Sequence, residues 1–209
     1  MSWLNPALRQ PSALAGLENQ WRTHPNLRIC DFLEASRAQE LLASLRDRPL
    51  TLYTTSPGSF RYQYWADAIH LEREADPVLA SFARWLYDEG MSWLSSWTKM
   101  SLSPPPDRQF LTTLYGQGSY LDPHNDADGH RSIAFVIGMT TEKWDPSEGG
   151  SLEFLESRAA NVEVSESRTP GFNTVDFFSV HDQTFIHQVR LLQTQRQRRA
   201  FAGWFHLPR

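Results

Sequence analysis

Cysteine is almost absent from this chain of 209 residues, where Cys30 stands alone. A single thiol closes no intramolecular disulfide and builds no thiolate metal cluster, and it fits a reducing compartment, with the cytoplasm as the default. Long apolar runs are missing as well. No stretch approaches the roughly 20 residues that span a bilayer, and residues 1–10 lack a basic segment followed by an apolar one. Nor is there an excess of positive charge. Lys and Arg number 20 against 24 Asp and Glu, a formal charge of −4, which leaves no electrostatic footprint for nucleic acid or an anionic membrane surface. The expectation is a soluble protein with a single domain over 1–209, no nucleic-acid partner and no membrane partner.

Aromatic residues are plentiful. Eight Trp, twelve Phe and six Tyr favour a β-rich body with large packed faces. Residues 1–10 read as a loose arm, 11–20 as a short helix and 27–33 as a strand. A helix over 37–46 carries Leu41, Leu42 and Leu45 on one face and stops before Pro49. Residues 50–55 and 60–65 alternate aromatic and β-branched side chains around Ser56-Pro57-Gly58, a strand, turn and strand. Pro77 opens a helix reaching about residue 98, with Gly90 as its candidate interruption. A proline-rich linker at 101–107 follows. Strands are expected at 110–115, 131–139, 151–155, 173–180, 184–189 and 198–206, with no helix between them, which indicates an antiparallel sandwich or jelly roll. The fold class is therefore α+β: an N-terminal α/β support over 1–107 and a β-rich core over 108–209.

Within that core, three polar residues form a pattern. His124 and Asp126 stand two apart in Pro123-His124-Asn125-Asp126, so an extended backbone points both side chains the same way. His187 lies 63 residues downstream in a predicted strand, and an antiparallel fold can return it opposite the pair. Two imidazoles and one carboxylate on one face of a divalent ion leave three positions open, the arrangement of non-haem Fe(II) oxygenases. Asp128 is the neighbouring rival carboxylate, but in an extended segment it stands roughly 13 Å from His124, too far to share an ion.

Eleven residues after His187 comes Arg198, which opens a strand with two unlike faces. Arg198, Ala200, Ala202 and Trp204 share one; Arg199, Phe201, Gly203 and Phe205 share the other. A guanidinium followed by two alanines leaves room for a small carboxylate held by a bidentate pair, while the other face suits packing.

The sequence resembles the Fe(II)/2-oxoglutarate-dependent dioxygenases of prolyl-hydroxylase type, and is most similar to the ribosomal-protein prolyl 3-hydroxylases. The resemblance rests on Tyr115-Gly116-Gln117-Gly118-Ser119-Tyr120-Leu121, His124-Asn125-Asp126, Arg131, Trp144, Glu148-Gly149-Gly150-Ser151-Leu152, Phe177, His187-Gln188-Val189, Arg198 and the ending Gly203-Trp204-Phe205-His206. It implies a double-stranded β-helix (jelly roll, cupin-like) with N-terminal supporting helices. His124, Asp126 and His187 would be the iron ligands, Arg198 would hold the distal carboxylate of 2-oxoglutarate, and Tyr115 would line that pocket. It also implies O2 as cosubstrate, ascorbate as a candidate reductant, and a prolyl residue of a protein or peptide as substrate. Retention of Asp126 favours hydroxylation over halogenation.

Two positions depart from the family's pattern. Seven residues after Arg131, where a tyrosine commonly helps hold the cosubstrate, stands Gly138, and the position expected to face it on the last strand is Ala202 rather than a hydroxyl residue. The pocket is then expected to be roomier, weaker in binding, or completed by Thr113 or Tyr115. Asn125, Arg131 and His130 are candidate substrate contacts, as is an aromatic cluster of Tyr53, Phe60, Tyr62, Tyr64 and Trp65 that suits core packing equally well. Three alternatives stay open: a hydroxylase of a small molecule or free amino acid, a divalent-metal hydrolase or isomerase with no need of Arg198, and a non-catalytic metal- or peptide-binding module.

Overall fold

Strand alternation places two different environments on the two sides of one sheet. The computed structural model describes residues 2–55, 60–158, 161–181 and 185–208; the expected turn at Ser56-Pro57-Gly58, and Thr184 at the start of an expected strand, lie outside them. The chain begins with a 3-10 turn, Pro6–Arg9, then α1 (Pro11–Thr23), β1 (Asn26–Ile29), α2 (Ala35–Ser44), β2 (Thr51–Thr54) and β3 (Tyr62–His70). Next come α3 (Pro77–Trp85), a single π turn (Leu86–Gly90) and α4 (Met91–Thr98). The strands β4 (Gln109–Tyr115), β5 (Tyr120–His124), β6 (Arg131–Met139), β7 (Leu152–Arg158), β8 (Asn161–Arg168), β9 (Phe172–Ser179), β10 (Ile186–Val189) and β11 (Arg198–His206) complete it.

Among the described residues these strands form one curled sheet in the order β1-β9-β6-β11-β4-β3-β5-β10-β7-β8, with β2 paired to β3 and every pairing antiparallel. Strands from the N-terminal half are thus hydrogen-bonded into it: β3 sits between β4 and β5, and β1 borders β9.

One side of β6, β9 and β11 carries Phe135, Ile137, Val175, Phe177, Phe201 and Phe205, all packed with the helices into the main core. The opposite side carries Ala134, Val136, Phe178, Ala202 and Trp204, which face a cavity. The helices follow local rules. In α3, Pro77 occupies the first turn and the Asp76 carboxylate accepts from the Val78 and Leu79 amides. Gly90 does interrupt the long helix, as the last residue of the π turn, where a Cβ would lie 3.3 Å from the Trp85 ring and its carbonyl oxygen.

Three local expectations are corrected. Residues 1–10 are no loose arm: Trp3 is 1% exposed, meets Phe82 edge-on at 5.3 Å, and Leu4 bridges Leu33. The burial of one large ring is what anchors this segment. β5 and β8 are strands that hydrophobic alternation did not reveal, because β5 contains Pro123 and β8 is a polar edge strand with Val162 and Val164 exposed. β3 also extends to His70, well past the expected strand end at 65.

The two end strands of the sheet meet through side chains. Asp176 on β9 is 2% exposed and accepts both Arg28 from β1, at 2.8 and 2.7 Å, and Arg168 from β8, at 3.0 Å. Arg168 also binds Glu166, which accepts from Asn26 on β1. Removing the carboxylate leaves two guanidiniums short of a buried counter-charge. Asp176→Asn is therefore expected to destabilise the fold by about 3 kcal/mol, read as a lower urea midpoint at unchanged m-value.

Candidate active site

The two candidate histidines are register partners. His124 closes β5, His187 lies in β10, and the antiparallel ladder sets them opposite each other with ring centroids 4.2 Å apart. Asp126, two residues beyond β5, turns its carboxylate between them: Oδ1 is 3.5 Å from His124 Nε2 and Oδ2 is 3.4 Å from His187 Nε2. One ligand atom from each residue falls within 4.8 Å of the others, so the structure brings together the three residues singled out in the sequence.

Each imidazole is aimed by its other nitrogen. His124 Nδ1 lies 3.0 Å from the Asp122 carbonyl and His187 Nδ1 3.2 Å from the Phe185 carbonyl. A carbonyl accepts only from N–H, so both rings carry the proton on Nδ1 and turn the Nε2 lone pair toward the carboxylate. Three electron-rich donors facing one point suit a divalent cation. Phe60 stacks flat on His124 at 5.0 Å, and Phe178 meets His187 edge-on at 4.7 Å.

The triad opens into a cavity of about 290 Å³ whose walls include Leu121, Val136, Leu152, Phe178 and Val189. Arg198 also lines it, 5% exposed, with its guanidinium 4.8 Å from the centre of the Tyr115 ring. Burial pushes the Arg198 pKa down, and among the described residues no carboxylate pairs with it. The carboxylate that acts on it from a distance, Asp176, is already taken by Arg28 and Arg168. A buried cation without a counter-ion is costly, and a cavity that reaches it has the chemistry to admit an anion. Tyr115 is itself buried, which raises its phenol pKa, and it stacks on Tyr64 at 5.2 Å; burial pushes Tyr64 up to about 12.

The expected departures resolve differently from the sequence reading. Ala202 lines the cavity, but it pairs with Val136; the residue opposite Gly138 on β11 is Ala200. Gly138 opens no extra room, because a Cβ there would stand 2.4 Å from the Gly171 carbonyl oxygen and 2.7 Å from Thr174 Oγ1. The chain at Gly171, held by the Thr140 amide at 3.1 Å, crosses over this point and leaves space for hydrogen alone. Thr113 and Tyr115 both line the cavity, and the Thr113 hydroxyl donates to the Ala200 carbonyl at 3.2 Å.

Arg131 reaches the cavity with its guanidinium 3.7 Å from the Trp204 ring, held by Asp128 at 3.1 Å and by the Asp126 carbonyl at 3.4 Å. Asn125 is exposed between the ligands, while His130 lines a separate cavity with Ser103, Pro104 and His206 and is not brought to the metal centre. Of the aromatic cluster, Phe60, Tyr62 and Tyr64 line the cavity and Tyr53 stacks on Tyr64; Trp65 does not line it. Sequence reasoning missed Trp204 as a site residue, although it had placed it on the Arg198 face. Its buried indole N–H has no hydrogen-bond partner among the described residues.

Comparison with known proteins agrees with this geometry. The chain is 27% identical over 185 residues to a Xenopus laevis protein named prolyl 3-hydroxylase OGFOD1, covering 88% of this chain and 34% of that one. A Mus musculus protein of the same name is 25% identical over 180 residues, 85% of this chain and 31% of its own. The chain thus spans about a third of the length of these curated relatives. Among solved structures, a Pseudomonas putida prolyl-4-hydroxylase matches with a TM-score of 0.72 at 19% identity, over 93% of this chain and 99% of that one. A Trichoplax adhaerens prolyl hydroxylase in complex with a hypoxia inducible factor peptide fragment matches with a TM-score of 0.69 at 15% identity, over 95% and 94%. These likenesses establish the jelly-roll fold expected from the sequence. Residues 110–206, which hold the triad and Arg198, match the profile of the 2OG-Fe(II) oxygenase superfamily.

Proposed function

We propose that this chain is an Fe(II)- and 2-oxoglutarate-dependent dioxygenase that hydroxylates a prolyl residue of a protein or peptide. The observation that carries the reading is the pairing, in one cavity, of a two-histidine, one-carboxylate donor set with a buried guanidinium that lacks a carboxylate partner among the described residues. A metal hydrolase needs the first and has no use for the second.

Iron held by His124, Asp126 and His187 would, with 2-oxoglutarate and O2, supply the oxidising chemistry, in which the keto acid would lose carbon dioxide to become succinate, taking up one oxygen atom, and the other would enter a substrate C–H bond. This chain's residues bind and orient. His124 and His187 present Nε2 with the ring angle fixed by backbone carbonyls, and Asp126 completes the ligand face. Arg198 anchors the distal carboxylate at the buried end, which points the keto acid toward the triad. Leu121, Val136, Leu152 and Val189 keep water from the path between them. Arg131, braced on Trp204 and Asp128, puts a positive group beside the metal centre to meet a substrate carbonyl.

Phe60, which lines the cavity, is 46% exposed, and Tyr53, stacked on the cavity residue Tyr64, is 43% exposed, an aromatic surface suited to a prolyl ring and its flanking peptide. The names of the relatives favour a peptidyl proline over a free amino acid. Among the described residues no helix is long and apolar enough to cross a membrane; a cytoplasmic setting, with exposed Cys30 kept reduced, belongs to the same proposal.

His124→Ala and Asp126→Ala are each expected to weaken Fe(II) binding at least tenfold by anaerobic titration. Arg198→Ala should keep its iron and lose the visible charge-transfer band of the chelated keto acid at 2-oxoglutarate levels that saturate the parent. Iron binding unmoved in all three variants overturns the site. Incubation with proline-containing peptides should add 16 mass units at a prolyl residue in step with succinate release; succinate released equally without peptide argues against a peptide substrate.

A further inference from the structure

The space above Gly138 is filled from the neighbouring strand. Gly138 on β6 lies between its register partners Ala200 on β11 and Thr174 on β9, and Thr174 Oγ1 occupies the position a side chain at 138 would enter, 2.7 Å from its Cβ. That hydroxyl is buried and, among the described residues, has no hydrogen-bond partner. It shares a small polar compartment with Arg198, and this compartment shares Arg198, Val136 and Leu152 with the main cavity. Asp176, Arg28 and Arg168 line the same compartment, with the Asp176 carboxylate turned to the two arginines.

Two buried groups are therefore left incomplete on the same side of the sheet: a guanidinium without a carboxylate and a hydroxyl donor without an acceptor. One carboxylate satisfies both, since its two oxygens offer about four acceptor sites. A nearby buried carboxylate cannot do so, because Asp176 is consumed by its own two arginines. The fold excludes a large side chain at 138, yet it places a hydroxyl from β9 into the same volume.

We propose that Thr174 is a cosubstrate-binding residue, donating its hydroxyl to the distal carboxylate held by Arg198. The inference rests on the 2-oxoglutarate reading of the Arg198 pocket and adds to it the identity of the second donor. It makes the compartment selective for an acid that carries a distal carboxylate, because a keto acid without one leaves both groups unpaired.

The test is an anaerobic titration of the Fe(II)-loaded protein, read by the keto-acid charge-transfer band, with 2-oxoglutarate and with 2-oxobutanoate, which has no distal carboxylate. Thr174→Val is expected to weaken 2-oxoglutarate about five- to tenfold, as loss of a hydrogen bond to a charged group does, and to leave 2-oxobutanoate and Fe(II) affinity within twofold of the parent. Thr174→Ser should restore 2-oxoglutarate. Equal weakening of both keto acids, or no weakening of either, overturns the role of Thr174, and so does failure of serine to restore binding. Arg198→Ala in parallel separates the two claims: if it too binds 2-oxoglutarate like the parent, the pocket assignment itself fails.

Discussion

The register of one short strand pair governs everything that happens in the cavity. Side chains on a strand alternate with a period of two, so a slip of one residue between β5 and β10 would swing His187 to the opposite face of the sheet and carry its imidazole away from His124 and Asp126. The structure pins the register from both sides. β10 is held between β5 and β7, with His187 opposite His124 on one side and Phe154 on the other. The ladder to β5 shifts between His187 and Val189, and such an irregularity re-aims a side chain without breaking the sheet. Val189, packed with Tyr115, Trp144 and Leu192, fixes the far end of β10 in a small core of its own.

Electrostatics then gives the cavity a direction. At one end three donor groups gather negative and lone-pair density; at the other Arg198 holds a positive charge that no carboxylate among the described residues pairs. The wall between them is largely apolar, and low polarity strengthens both ends. A dianionic ligand that also chelates a cation fits such a field in one orientation only, carboxylate toward Arg198 and chelating end toward the histidines. The Asp176 cluster serves this arrangement indirectly. By pairing with Arg28 and Arg168 it stitches the two end strands of the sheet together, and it is spent in doing so, which keeps it from neutralising Arg198.

Legibility from sequence divides along the same physical lines. The triad could be read because two of its members lie two residues apart and the third sits in a strongly alternating segment, and the Arg198 face could be sorted because Ala200, Ala202 and Trp204 follow at spacing two. Residues 1–10 could not be read: their order depends on Trp3 finding Phe82, a partner 79 positions away. Nor could β5, whose proline and polar residues hide the alternation that hydrogen bonding imposes. From the sequence Gly138 reads as a missing side chain facing Ala202, with a roomier pocket as one of three outcomes; the register pairs it with Ala200 instead. What fills that volume is a backbone carbonyl at Gly171 and a hydroxyl at Thr174, brought there by β9, and a strand's neighbour across the sheet is not written in its own sequence.

The hollow on one side of the sheet depends on the density of the other. A cavity lined by apolar side chains forgoes the contacts that packing would have supplied, and those residues contribute less to stability than their size allows. The sheet compensates across its own thickness. Phe135 packs on Phe205, Phe110 joins Phe135 to Phe201, and Phe201 and Phe205 meet Phe82 and Tyr87 from the helices; Gly203 lies so close beneath them that a Cβ there would stand 2.7 Å from the Phe135 ring. Consecutive residues of β11 thus answer to different demands. Phe201 and Phe205 hold the strand rigid from behind, while Arg198, Ala202 and Trp204 keep the front open and placed for a ligand. Strand period, more than any single side chain, is what allows the same nine residues to be core and active site at once.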